Sequence, residues 1–132
     1  MNPRQIFLVI AALGLTPIAL SYGLVPGTSM DYLFQVPVSD VNGRHIFRAV
    51  MGLYLALALF WVAGALRADI RQAALLSLVV FMLGLAAGRV LSLIVDGIPS
   101  PLLVVYLLLE LGFGCGGVLL LRRPEQGAVS RG

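Results

Sequence analysis

The chain has 132 residues, of which 60% are hydrophobic and only 11% charged, with a mean hydropathy of +1.01. That is too apolar for an ordinary water-soluble domain and places the protein in a membrane. The formal charge of +3 comes from arginines gathered at a few points and not from a basic face, so no nucleic-acid partner is expected. A single cysteine and a single histidine exclude an internal disulfide, CxxC redox chemistry and a zinc site built from Cys and His. No cofactor is expected.

A membrane span needs about 20 predominantly apolar residues, and four such runs are predicted, at 5–25, 45–66, 73–97 and 101–121. The first has the basic start and apolar middle of a secretory signal. It is longer than a usual signal core and passes into Tyr22 and Leu24 without an A-x-A site, so it is read as a retained helix. Pro17 inside it removes one backbone hydrogen bond and frees the carbonyl of Leu13, and Thr16 and Ser21 are near enough in sequence to compensate.

The connection "PGTSMDYLFQVPVSDVNGR" is the longest. Its favoured reading is an ordered loop against the mouth of the bundle, because Pro37 and the Asn42-Gly43 turn signal leave little length for a helix. The alternative is a short interfacial helix, a lid, begun by a Thr28/Asp31 capping box with Met30, Leu33 and Phe34 on its apolar face. Asp40 or Asn42 is predicted to cap the second span. Within that span Gly52 and Ala56 form a small-xxx-small edge, and Trp61 has the position of an interfacial anchor.

The third run carries Gly84, Gly88, Ser92 and Asp96 at successive i, i+4 positions, and the fourth has Gly112 and Gly116. Both patterns predict faces that admit another helix closely. Short connections make the spans antiparallel neighbours. The predicted fold is thus an all-α, integral membrane antiparallel four-helix bundle in one domain, 1–121, followed by a short disordered cytoplasmic tail, 122–132. Arg4, Arg67, Arg71, Arg122, Arg123 and Arg131 flank the N-terminus, the second connection and the C-terminus, which predicts that both termini are cytoplasmic.

Four charged residues lie inside the predicted spans. At 1.5 Å per residue, Arg89 falls about 12 Å below an outer end near Gly97, and Glu110 about 13 Å below Pro101. They share a depth at which a charge costs roughly 2.5–3.5 kcal/mol, so an Arg89–Glu110 pair is predicted. Arg48, Asp96 and His45 form a second layer nearer the outer surface. Ser92 shares a helix face with Arg89 and Asp96, and Tyr106 stands one turn from Glu110. These seven residues are the candidate ligand-binding set, facing a common interior that opens outward.

Two arginine forks suit a carboxylate, a phosphate head group or a quinone-like carbonyl. The predicted function is therefore binding of a lipid-like, quinone-like or small anionic ligand, with membrane lipid as surroundings. The alternative is an accessory subunit of a larger membrane complex, or a homo-oligomer, with no ligand of its own. A purely structural ion-pair network is the plainer account of the same charges. Catalysis is not predicted, since no nucleophile elbow or metal triad is present. Nothing acidic extends a proton path into the cytoplasmic half, which also disfavours transport.

On "SYGLVPG", "DVNGRHIFRAVMGLYLALALFW" and "GLAAGRVLSLIVDGIPSPLLVVYLLLELGFG" the chain resembles a bacterial family of small four-span membrane proteins known as a domain of unknown function, 4345. The resemblance covers nearly the whole chain and implies a bacterial inner-membrane location, with no activity to transfer. In layout it is more distantly similar to the DoxX-like group, some of whose members are accessory subunits of quinone-linked oxidoreductases.

Overall fold

The structure is a computed structural model and describes residues 1–123. Five helices are present: α1 (Pro3–Gly23), α2 (Pro26–Phe34), α3 (Val41–Leu66), α4 (Ala68–Val95) and α5 (Pro101–Arg122). All but α2 are long and apolar enough to cross a membrane. Of the predicted tail, Arg122 ends α5 and Arg123 follows it, and the rest lies outside the described residues.

Local chemistry sets the helix ends. A capping box opens α1, where the Asn2 side chain accepts from Gln5 N and the Gln5 side chain accepts from Asn2 N, both at 2.9 Å. Pro3 then occupies a first-turn position whose N–H would have had no intrahelical partner. The helix continues through Pro17. Thr16 donates to the carbonyl of Ala12 and Ser21 to that of Ile18, each at 2.7 Å, so neither hydroxyl serves the freed carbonyl of Leu13. Asp40 caps α3 by accepting from Gly43 N at 3.2 Å.

The connection after α1 departs from the favoured loop reading, because Pro26–Phe34 is helical. Pro26 supplies a preset first turn, and Met30 and Phe34, one turn apart, are both buried in the core. Gln35 ends the helix in the left-handed region at φ 56°, its N–H and that of Val36 returning to Asp31 and Met30 carbonyls. The Thr28/Asp31 box does not form, since the N-cap is Val25 without a side-chain bond. The helix contacts α1, α3 and α5 and so lies across the end of the bundle.

The spanning helices form a ring in the order α1, α3, α4, α5, with α1 packed along α3, α3 along α4 and α4 along α5. The α1–α5 seam is the lightest side. In lipid, association rests on close van der Waals packing because the surrounding tails are as apolar as the core. Glycines accordingly mark the closest approaches: a Cβ on Gly64 would meet that of Ala74, one on Gly114 would meet Leu83, and one on Gly117 would meet Val79. The predicted edges are mostly elsewhere. Gly52, Gly84, Gly88 and Gly112 face open space, and Gly116 looks toward the ring of Phe7. The i, i+4 spacing identifies a small-residue stripe but not which way it points.

One further expectation is corrected. Trp61 is not an interfacial anchor. It is fully buried, donates from Nε1 to Ser77 Oγ at 3.1 Å and meets the Phe81 ring edge-on at 5.7 Å. The arginines at the opposite end from α2 have a structural role. Arg4, only 8% exposed, donates to the carbonyls of Leu120 and Arg123 at 3.0 and 2.7 Å, while Arg71 donates to those of Gly64 and Ala65 at 3.0 and 3.1 Å. They satisfy the last carbonyls of α5 and α3, where a cation also suits the helix dipole.

Candidate functional site

The predicted pair is formed. Arg89, six residues before the end of α4, and Glu110, nine residues into α5, meet across the α4–α5 interface. Arg89 Nε lies 2.8 and 2.9 Å from the two carboxylate oxygens of Glu110. One nitrogen therefore serves both oxygens, and the four terminal N–H donors of the guanidinium are not spent on the carboxylate. The side chains are 23% and 8% exposed, respectively, so Glu110 is the inner partner and Arg89 reaches the surface.

Aromatic residues surround the pair. The Tyr106 ring centroid is 5.8 Å from the Arg89 guanidinium carbon, which is within cation–π range. The Tyr22 hydroxyl interacts with the guanidinium, and Tyr54 is in electrostatic reach of both charged groups. Three of the four tyrosines thus gather here. The Tyr22 ring touches Phe34, Phe47 and Tyr54, while Phe34 of α2 also touches Tyr106. Tyr54 is buried, and its hydroxyl makes no hydrogen bond with the described residues. It borders a cavity of about 40 Å³ with Arg89, Tyr106 and Glu110, large enough for a water molecule and too small for an organic ligand.

Arg89 also borders a second space. A groove of about 360 Å³ runs between α4 and α5, lined by Gly84, Gly88 and Ser92 on one side and Leu103, Val104 and Leu107 on the other. The lining is chiefly apolar, and Arg89 is its charged residue. Ser92, in the lining, donates to the exposed Asp96 at 2.7 Å. This groove opens sideways from the bundle, where lipid would lie. It corrects the expectation of a common interior opening at the mouth, because α2 lies over that end with Phe34 packed on Tyr106.

The seven predicted residues therefore separate. Arg89, Glu110 and Tyr106 converge, Ser92 lines the groove beside Arg89, and exposed Asp96 joins only through its bond from Ser92. Arg48 and His45 do not join them. Both are exposed and, with Arg44, line a surface depression on α3. An Arg48–Asp96 pair is absent among the described residues. The reason is rotational: Arg48 lies within the same span depth, but the face of α3 that packs inward carries Tyr54, Ala58 and Trp61, and Arg48 is on another. Sequence reasoning missed Tyr54, whose spacing from the charges along the chain gave no signal.

Fold and site together define a small multi-pass membrane protein, a helical bundle with a buried ion pair at the edge of a lateral groove. Residues 3–121 match the family described as Domain of unknown function (DUF4345), and the chain belongs to that family. No curated protein and no solved structure matches it.

Proposed function

We propose that the protein binds a lipid-like or quinone-like amphiphile in the groove between α4 and α5, with the polar group of the ligand on Arg89 and its apolar part along Gly84, Gly88 and Leu103. The observation that carries this reading is the single-nitrogen pairing of Arg89 with Glu110. It holds the guanidinium in place while leaving terminal donors for a carbonyl or anion. Glu110 positions the arginine, Tyr106 backs it, and Ser92 supplies a polar contact in the groove wall. A volume of about 360 Å³ suits a small-molecule site, and the apolar lining favours an amphiphile over a small free anion.

Native mass spectrometry of the gently extracted protein tests this. A bound small molecule should be retained by the wild type and reduced at least tenfold by Arg89→Gln and by Gly88→Leu. The second substitution fills the groove from a position where a Cβ meets nothing, so its fold should be intact. Equal occupancy in all three would sink the proposal. The open Gly84 and Gly88 backbone also favours the accessory-subunit reading, in which a helix of another protein lies in the groove. Loss of a co-purifying protein from Gly88→Leu, with no small molecule in the wild type, would select it.

The location we infer is a bacterial cytoplasmic membrane with both termini inside. It is supported by Arg4, Arg67, Arg71, Arg122 and Arg123 at one end of the bundle. In a Cys115→Ala background, an impermeant thiol reagent added to intact cells should label Ser39→Cys and leave Ala68→Cys unlabelled. The reverse pattern would invert the topology.

A further inference from the structure

We propose that Arg44, His45 and Arg48 form a second site, on the outer surface of α3, for the phosphate of an anionic membrane lipid. The site does not depend on the groove reading. The three residues follow i, i+1, i+4 spacing and share one helical face. With Val41 and Ala49 they line a surface depression of about 500 Å³. All three are exposed, and none forms an ion pair with a described residue. The neighbouring acid, Asp40, is occupied in capping α3 through Gly43 N, and the N-terminal end of the helix adds its own positive potential.

Depth identifies the partner. The 26 residues of α3 span about 39 Å, against about 30 Å of hydrocarbon. A centred helix therefore extends about 4–5 Å beyond the hydrocarbon at each end. Arg44, about 5 Å from the start, sits at the boundary, and Arg48, about 10 Å from it, begins roughly 6 Å inside. A guanidinium at that depth must reach back to the head groups along its own stem. Arg44 and Arg48 thus bring two forks to the phosphate plane on one side of one helix, the geometry that suits a shared phosphate. Gly52, one turn deeper with open space at its Cβ position, leaves the helix surface clear where the acyl chains of that lipid would run. An aqueous phosphate has no such apolar portion to place there.

The test is lipid retention by the full chain in native mass spectrometry, titrated with phosphatidylglycerol or with phosphatidylcholine of the same acyl chains. The wild type should hold one phosphatidylglycerol at least tenfold more tightly than phosphatidylcholine. Arg44→Gln/Arg48→Gln should bring the two lipids to parity, while Gly88→Leu keeps the preference, which separates this site from the groove. Ala49→Phe retains both arginines and crowds the depression, and should weaken retention several-fold if the double variant proves too unstable to measure. Absence of the preference, its survival in both variants, displacement by millimolar inorganic phosphate, or a co-purifying protein lost with the arginines would overturn the proposal.

Discussion

Replacing Glu110 with leucine is expected to destabilise the protein by about 3–5 kcal/mol, the usual consequence of removing one partner from a buried ion pair. The carboxylate is the inner partner, and both of its oxygens accept from Arg89 Nε. Its loss leaves a guanidinium facing Tyr106 and Tyr54 with no counter-charge. The partly exposed arginine can turn toward the groove, which favours the lower end of the range. Adding Arg89→Met to Glu110→Leu should recover most of the loss, because an apolar pair of similar volume avoids desolvation of two charges. Reversible unfolding in mixed micelles of mild detergent and dodecyl sulfate would measure the four corners of the cycle. A single variant as stable as the wild type would show that Arg89 is fully solvated. A stable double variant that no longer retains a small molecule would assign the pair to binding and not to architecture.

Trp61→Ala should cost a comparable 3–5 kcal/mol. Trp61 of α3 is fully buried against Ser77 and Phe81 of α4, and in a bilayer the loss is one of packing, since lipid tails cannot fill an internal void. Trp61→Phe should cost less, about 1–2 kcal/mol, reflecting a smaller cavity and the lost hydrogen bond to Ser77. Ser77 Oγ keeps its own bond to the Ala74 carbonyl at 2.7 Å, so no hydroxyl donor is stranded. Unfolding followed by circular dichroism gives both numbers, because the variants remove the natural fluorophore. A loss of no more than about 0.5 kcal/mol for Trp61→Ala, the range of an ordinary surface change, would return the residue to the interfacial role that its place in the sequence suggested.

The Arg89–Glu110 pair was legible in the sequence because two requirements coincided. Each charge needs a partner in hydrocarbon, and helical rise fixes the depth of each from the nearest span end. The second layer lacked that constraint. Arg48 lies near the start of α3 and is exposed, so nothing required it to face inward. The stripe of Gly84 and Gly88 similarly specified a face without specifying a neighbour, and the structure turns it to the outside as one wall of the groove.

Composition and periodicity by themselves determined the four apolar helices, the all-α class and the pairing of Arg89 with Glu110, because a chain in lipid must satisfy its backbone within each segment and neutralise what it buries. Those demands are local or depend on depth alone. Tertiary structure decided the rotation of each helix about its axis: which glycines touch another helix, that Trp61 is core, that Arg44, His45 and Arg48 face outward, and that α2 covers the mouth. Rotation is set by the summed fit of many side chains on neighbouring helices, and no single stretch of sequence contains that sum.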